Sequence, residues 1–125
     1  MRRGKEITQG SHSSCCLVLG WSTNPIRIVF NIIKLLLRKD FRQWLKSGRT
    51  TITLALPDTF GADRMYEIEH AASYVGLLTT KVVDAGRTEF HGVPTFTVLS
   101  IGPGDSDLID SITGPNGRFP ELKLY

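Results

Sequence analysis

The sequence predicts an α/β fold, a small mixed β-sheet of three to four strands sandwiched by helices, in a single domain over residues 1–125. Three observations support this class. Segments with helical spacing alternate with short runs of β-branched residues, and glycine and proline stand at the boundaries between them. In addition, 41% of the residues are hydrophobic, which is typical of a globular protein with one core.

Residues 5–19 are predicted to form the first helix. Polar groups line one face of this helix, and small residues on the opposite face would let it approach a sheet closely. The polar face carries Lys5, Gln9, His12 and Cys16, and the opposite face carries Ile7, Ser11, Ser14 and Val18.

A longer helical pattern covers residues 26–47. Pro25 is placed in its first turn, Ser47-Gly48 ends it, and a kink near Asp40 would divide it into two helices. Apolar residues at helical spacing predict a buried stripe along this segment, formed by Phe30, Ile33, Leu37, Phe41 and Trp44.

The rest of the chain alternates between strands and helices. The TTITLAL run, with its β-branched residues and alternating pattern, predicts a strand over 50–56. A helix over 60–75 follows, with a core stripe of Met65, Ile68, Ala72 and Val75. Two more strands are predicted over 79–85 and 94–102, a short helix over 105–113, and a candidate fourth strand over 121–125.

Charge is distributed unevenly along the chain. Residues 1–50 contain ten Lys/Arg and two Asp/Glu, which gives a net charge of +8. Residues 51–125 contain five Lys/Arg and ten Asp/Glu, which gives a net charge of −5. The basic part of the chain is suited to a polyanionic partner. Its candidate contacts lie in the basic stripe of the second helical segment and just beyond it, at Arg27, Lys34, Arg38, Arg42, Lys46 and Arg49.

The sequence shows no targeting signal. The residues after MRRGK are polar where a signal peptide needs an apolar run, and the most apolar stretch, IRIVFNIIKLLLRK, is interrupted by Arg27, Asn31 and Lys34. The adjacent cysteines Cys15 and Cys16 fit a reducing compartment. We therefore expect a cytoplasmic protein. Because the three histidines show no ligand spacing, we expect neither a metal nor an organic cofactor.

The segment VVDAGRTEF places polar residues where a strand ends. Asp84 stands at the end of the strand predicted over 79–85, followed by a turn through Gly86 and by Arg87 and Thr88. Strand ends are where α/β proteins gather functional groups. From the spacing alone, however, a structural Asx-type turn is the stronger interpretation.

Two separated motifs and the C-terminus together resemble one known family. DAGRTEF is followed by TVLSIGPGDSDLIDSITG and by the terminal LKLY. In these segments the chain resembles the archaeal and eukaryotic type of peptidyl-tRNA hydrolase, and the resemblance extends over almost the whole length of the chain. The family's helix-opening motif M-x-x-G-K-x-x-x-Q-x-S-H is represented by Met1, Gly4, Lys5, Gln9, Ser11 and His12.

The resemblance implies a hydrolase of translation that cleaves the ester joining a peptide to the 3′ ribose of tRNA, which releases stalled peptides and free tRNA. It implies peptidyl-tRNA as the partner, without a membrane or a metal. Arg87 lies inside the matched motif and is grouped with the tRNA-binding residues. By motif position the functional lysine is Lys5, the aspartate Asp84 and the loop threonine Thr88, while Gln9, His12 and Thr97 line the same cleft.

These residue types fit the chemistry of ester hydrolysis. Asp84 can orient or deprotonate a water molecule, and His12 is an alternative base. Lys5 can stabilise the oxyanion or contact a phosphate, and Thr88 can hold Asp84 or position the water. Taken singly, Lys5 and His12 would more often be ordinary surface residues.

The chain departs from the family pattern at its beginning. The apolar strand expected before the first motif has no counterpart, so we expect a sheet with an unpaired edge that invites self-association. A second function therefore stays open, that of a non-catalytic relative that binds tRNA or a protein partner. A third and weaker alternative is a basic helix over 26–46 that lies on an anionic membrane.

Overall fold

The computed structural model describes residues 3–20, 23–57, 60, 62–84 and 95–125. Helices and strands are mixed along this part of the chain, which confirms the α/β class. The elements are α1 (Arg3–Leu19), α2 (Pro25–Leu36), α3 (Lys39–Lys46), β1 (Leu54–Ala55), α4 (Ala62–Tyr74), β2 (Thr79–Asp84), β3 (Thr95–Ile101), α5 (Ser106–Thr113) and β4 (Lys123–Leu124).

The strands of the described residues form two separate pairs, both antiparallel. β2 pairs with β3, and β1 pairs with β4 in a register that places Leu54 opposite Leu124 and Ala55 opposite Lys123. The strand expected over 50–56 is reduced to two residues, the length over which β4 supplies a partner. A strand needs a neighbour to satisfy its backbone groups, and propensity alone does not provide one.

The chain divides into two compact units, and the first comprises Met1–Leu35 and Thr79–Ser100. In this unit α1 packs against β2, where Val82 is fully buried. The buried residues of α1 are Gln9, Ser13 and Cys16, whereas Ile7 is 68% exposed. The prediction that the small-residue face of this helix packs on a sheet was therefore wrong, since much of the polar face points inward instead.

The segment 26–47 forms two helices, α2 and α3, as predicted from a kink near Asp40. Asn24 caps α2, its side-chain oxygen accepting from the Ile26 N–H at 3.0 Å, and α2 ends at Leu36. The predicted stripe was wrong for α2, where Phe30 and Ile33 are exposed and Leu35 is buried, but Phe41 in α3 is buried as expected. Among the helices that the structure describes, none is long and apolar enough to cross a membrane.

The second unit comprises Leu36–Leu78 and Ile101–Tyr125. α4 packs against α5, and as predicted Ile68 and Ala72 of α4 are buried, whereas Val75 is 37% exposed. One charged cluster ties α4 to the segment before β4. Arg64 donates to Glu121 at 2.5 Å and to Glu67 at 2.7 Å, and its guanidinium lies 4.6 Å from the ring centre of Phe119.

Candidate active site

An ion pair joins the two chain segments that make up the first unit. The Lys5 ammonium lies 2.5 Å from the Asp84 carboxylate oxygen Oδ2. Both side chains are largely shielded, with 12% of Lys5 and 14% of Asp84 exposed. Removal of two charges from bulk water is unfavourable unless they compensate one another, so the contact holds a cation and a carboxylate together in a partly dry environment.

Local structure explains how the two residues meet. Asp84 is the last residue of β2, two positions after the buried Val82, so both side chains point to the same face of the strand. Lys5 lies in the first turn of α1, the helix that packs against β2. A lysine at this end of a helix faces the positive pole of the helix dipole, and the Asp84 carboxylate offsets that repulsion.

Gln9 lies one helical turn after Lys5 and shares its side of α1. It is only 8% exposed, and its side-chain oxygen Oε1 is buried without a hydrogen-bond partner in the described residues. A buried acceptor of this kind costs about 1–3 kcal/mol when nothing donates to it. Gln9 therefore places an unused acceptor beside the ion pair.

Two further motif residues lie in different environments. His12 is exposed on α1, unlike Gln9 on the preceding turn. Thr97 of β3 donates from Oγ1 to the Val82 carbonyl at 3.3 Å, which ties β3 to the strand that carries Asp84. The hydroxyl of Thr97 thus supports the strand that ends in the carboxylate.

One family profile covers nearly the whole chain. The profile described as Peptidyl-tRNA hydrolase PTH2 matches residues 1–118. The chain belongs to this family.

Relatives with the corresponding name support the assignment to the PTH2 family. Peptidyl-tRNA hydrolase 2 of Saccharomyces cerevisiae is 34% identical over 125 residues, which are all of this chain and 52% of that protein. Peptidyl-tRNA hydrolase of Pyrobaculum aerophilum is 38% identical over 89 residues, 70% of this chain and 65% of the relative. Peptidyl-tRNA hydrolase of Sulfurisphaera tokodaii is 31% identical over 114 residues, which are 91% of this chain and 84% of that protein. The chain thus spans about half the length of the yeast relative.

Two motif residues of this PTH2-family chain cannot be placed. Arg87 and Thr88 lie outside the described residues. Their assignment to tRNA contact and to the catalytic loop stays a prediction.

The basic residues assigned to tRNA binding lie on both helices of the 26–47 segment and just after them. Arg38 is half-buried and pairs with Asp40 at 3.2 Å, and this hydrogen-bonded guanidinium holds the pKa of the Asp40 carboxyl below its usual value. Arg42 is exposed and donates to the Leu36 carbonyl at 2.8 Å. Four more basic side chains are exposed, those of Arg27, Lys34, Lys46 and Arg49.

A polar contact near the site was missed at the level of the sequence. Ser13, one turn after Gln9, is 2% exposed, and its hydroxyl hydrogen-bonds the hydroxyl of Ser100 on β3. The spacing of Lys5, Gln9 and Ser13 at successive intervals of four is a signal that marks one face. Serine is too common on helix surfaces for that spacing to single it out.

Proposed function

We propose that this protein hydrolyses the ester bond between peptide and tRNA in peptidyl-tRNA and thereby returns free tRNA to translation. Membership of the PTH2 family supports this reaction. The observation that carries the proposal is the Lys5–Asp84 pair, which unites the motif lysine and the motif aspartate in one partly buried place.

Attack on the ester requires a nucleophilic water. Asp84 is one candidate to orient or deprotonate it, since a carboxylate at a strand end is held firmly and accepts hydrogen bonds from water. His12 is the alternative base, because an imidazole nitrogen can accept a proton from water. Its exposure on α1 gives solvent direct access to the ring, whereas Asp84 is largely shielded. We favour Asp84 because the shielded group is the better fixed.

The tetrahedral intermediate carries negative charge on the former carbonyl oxygen. Lys5 supplies a cation for that charge or for a neighbouring phosphate, and its place in the first turn of α1 adds the positive end of the helix dipole. Gln9 supplies an acceptor, and its side-chain oxygen, which has no hydrogen-bond partner among the described residues, is suited to a hydroxyl of the ribose or to the attacking water.

Affinity for tRNA comes from the exposed basic side chains. Phosphate contacts are independent of sequence and weaken steeply with salt, which suits an enzyme that acts on many tRNAs. Arg42 and Lys46 lie four residues apart on α3 and are both exposed, so they can contact adjacent phosphates.

Steady-state hydrolysis of an N-acetylated aminoacyl-tRNA tests the proposal. We expect wild-type protein to release free tRNA, and Asp84→Asn to lower kcat by about 10²-fold or more, because the amide can neither accept a proton nor balance Lys5. The variant Arg42→Glu with Lys46→Glu should raise KM with little change in kcat. Matched charge reversals at Arg118 and Lys123, which are also exposed, control for net charge.

Two outcomes of this assay contradict the proposal. No turnover by folded wild-type protein would exclude the hydrolase function, and near-normal turnover by folded Asp84→Asn would remove the carboxylate from the mechanism. Equal KM changes in the α3 variant and in its control would refute a specific tRNA contact there.

We place the activity in the cytoplasm, because both cysteines are free thiols, as expected in a reducing compartment. A human relative is named mitochondrial. Recovery of the protein from the interior of an organelle, protected there from added protease, would contradict this placement.

A further inference from the structure

α2 presents an apolar surface to solvent where the sequence predicts a core. Five residues of this helix form what we call the α2 apolar face. At about 100° per residue they span about 120° of the helix circumference. The face consists of Ile26, Val29, Phe30, Ile33 and Leu36, which are 64%, 54%, 66%, 48% and 44% exposed.

The opposite side of α2 holds the helix in the first unit. Asn31 donates from Nδ2 to the Val18 carbonyl at 2.6 Å, at the end of α1, and thereby satisfies an otherwise unpaired carbonyl of the last turn. Leu35 is 5% exposed. Because these two residues fix the inward side, the α2 apolar face is directed away from that attachment.

Charge beside the α2 apolar face has one sign. Arg27 and Lys34 lie about 80–100° from Ile26 around the helix, at one border of the face, and both are exposed. Residues 7–39 contain no Asp or Glu. The next acidic residue, Asp40, is paired with Arg38. The surface thus combines apolar area with positive charge that no acidic residue within 7–39 balances.

We propose that α2 is an interfacial helix that binds the surface of an anionic lipid bilayer. The α2 apolar face enters the boundary between headgroups and acyl chains, while Arg27 and Lys34 contact lipid phosphates. A second copy of the chain fits less well, because each copy would bring the positive charge of Arg27 and Lys34 to the contact without an acidic counterpart within 7–39. The α2 apolar face lies outside the hydrolytic site, whereas Arg27 and Lys34 at its border are also assigned to tRNA, so lipid and tRNA would compete for these two side chains. The proposal replaces the expectation that no membrane is involved.

Flotation with vesicles of equal parts phosphatidylcholine and phosphatidylserine tests the proposal. We expect wild-type protein to float with these vesicles and to bind at least about tenfold less to pure phosphatidylcholine. Phe30→Ser with Ile33→Ser should lower the partition coefficient on the mixed vesicles at least about tenfold, because apolar burial drives insertion. Hydrolysis in solution should be unchanged, since neither residue belongs to the site.

The matched control is Ile52→Ser with Tyr74→Ser, which removes an aliphatic and an aromatic side chain that are 70% and 84% exposed elsewhere. It should bind vesicles like the wild type. Equal losses in both variants, or no vesicle binding by folded wild-type protein, would overturn the proposal. Concentration-dependent dimerisation in sedimentation that Phe30→Ser with Ile33→Ser abolishes, without lipid binding, would assign the face to a second copy instead.

Discussion

A single buried hydroxyl pair shows how individual residues maintain the site. Ser13 hydrogen-bonds Ser100 and thereby links α1, which carries Lys5 and Gln9, to β3. Thr97 links β3 in turn to the Val82 carbonyl of β2. The first of these hydrogen bonds therefore restrains α1 relative to β3, and the second restrains β3 relative to the strand that carries Asp84.

We predict that Ser13→Ala lowers the free energy of unfolding by about 1–3 kcal/mol, because it leaves the Ser100 hydroxyl without its partner. Replacing both serines by alanine should recover part of that loss, since no polar group is then stranded. Urea denaturation measures both. Ser14→Ala is the control, because Ser14 is exposed on the same helix. A loss of equal size for Ser14→Ala would contradict the role of Ser13.

Sequence reasoning reached individual site residues unevenly. Lys5, Gln9 and Asp84 were singled out through their motif positions, and their roles in the site stay predictions. Periodicity gave a common face for Lys5 and Gln9 but the wrong direction, because much of the polar face of α1 packs inward, His12 excepted, and Ile7 points outward. A polar residue is buried where it has a functional or structural partner, and a single sequence does not show that partner.

At the scale of the elements, ion pairs connect α4 to the C-terminal segment. Arg64 bonds Glu121 and Glu67 and lies over the ring of Phe119. The hydrogen bond from Arg64 holds the pKa of the Glu121 carboxyl below its ordinary value of 4.5. A depressed pKa in the folded state means that the unfolded chain takes up the proton first as pH falls.

We predict that this contact stabilises the fold fully above pH 4.5 and is lost as pH falls through the lower pKa of folded Glu121. Glu121→Gln should lower Tm by a few degrees at neutral pH, and the difference from wild type should shrink in acid. Thermal melts across this pH range measure it. Glu67→Gln is the control, and it should have a smaller effect because Glu67 is 58% exposed against 13% for Glu121. A Tm difference that stays constant into acid would contradict the prediction.

The sequence predicted which segments form helices and strands, but it did not predict which face of each element is buried. The boundaries at Pro25 and at Gly76, where φ is 85°, follow local chemistry that a sequence displays. α2 is apolar on most of its circumference, so the pattern of Phe30 and Ile33 identifies a helix without saying which side is covered. β1 is short because pairing with β4, rather than the β-branched run, sets its length.

At the scale of the whole molecule, the site depends on contact between distant segments. Lys5 and Asp84 belong to the same compact unit, although Leu36–Leu78, which lies between them in the sequence, belongs to the other. Periodicity and turn chemistry act over a few residues and do not predict such a meeting. The resemblance to a family predicted it, and the fold of the first unit supplies the physical reason, since α1 packs on the strand that ends in Asp84.

The central claim is that Lys5 and Asp84 act as one catalytic unit, and a double-mutant cycle on kcat/KM for an N-acetylated aminoacyl-tRNA tests it most directly. We predict that Lys5→Ala and Asp84→Ala each lower kcat/KM by about 10²-fold or more, and that the double variant falls by less than about tenfold further. Single losses that multiply in the double variant, or a folded single variant with near-normal activity, would contradict the account.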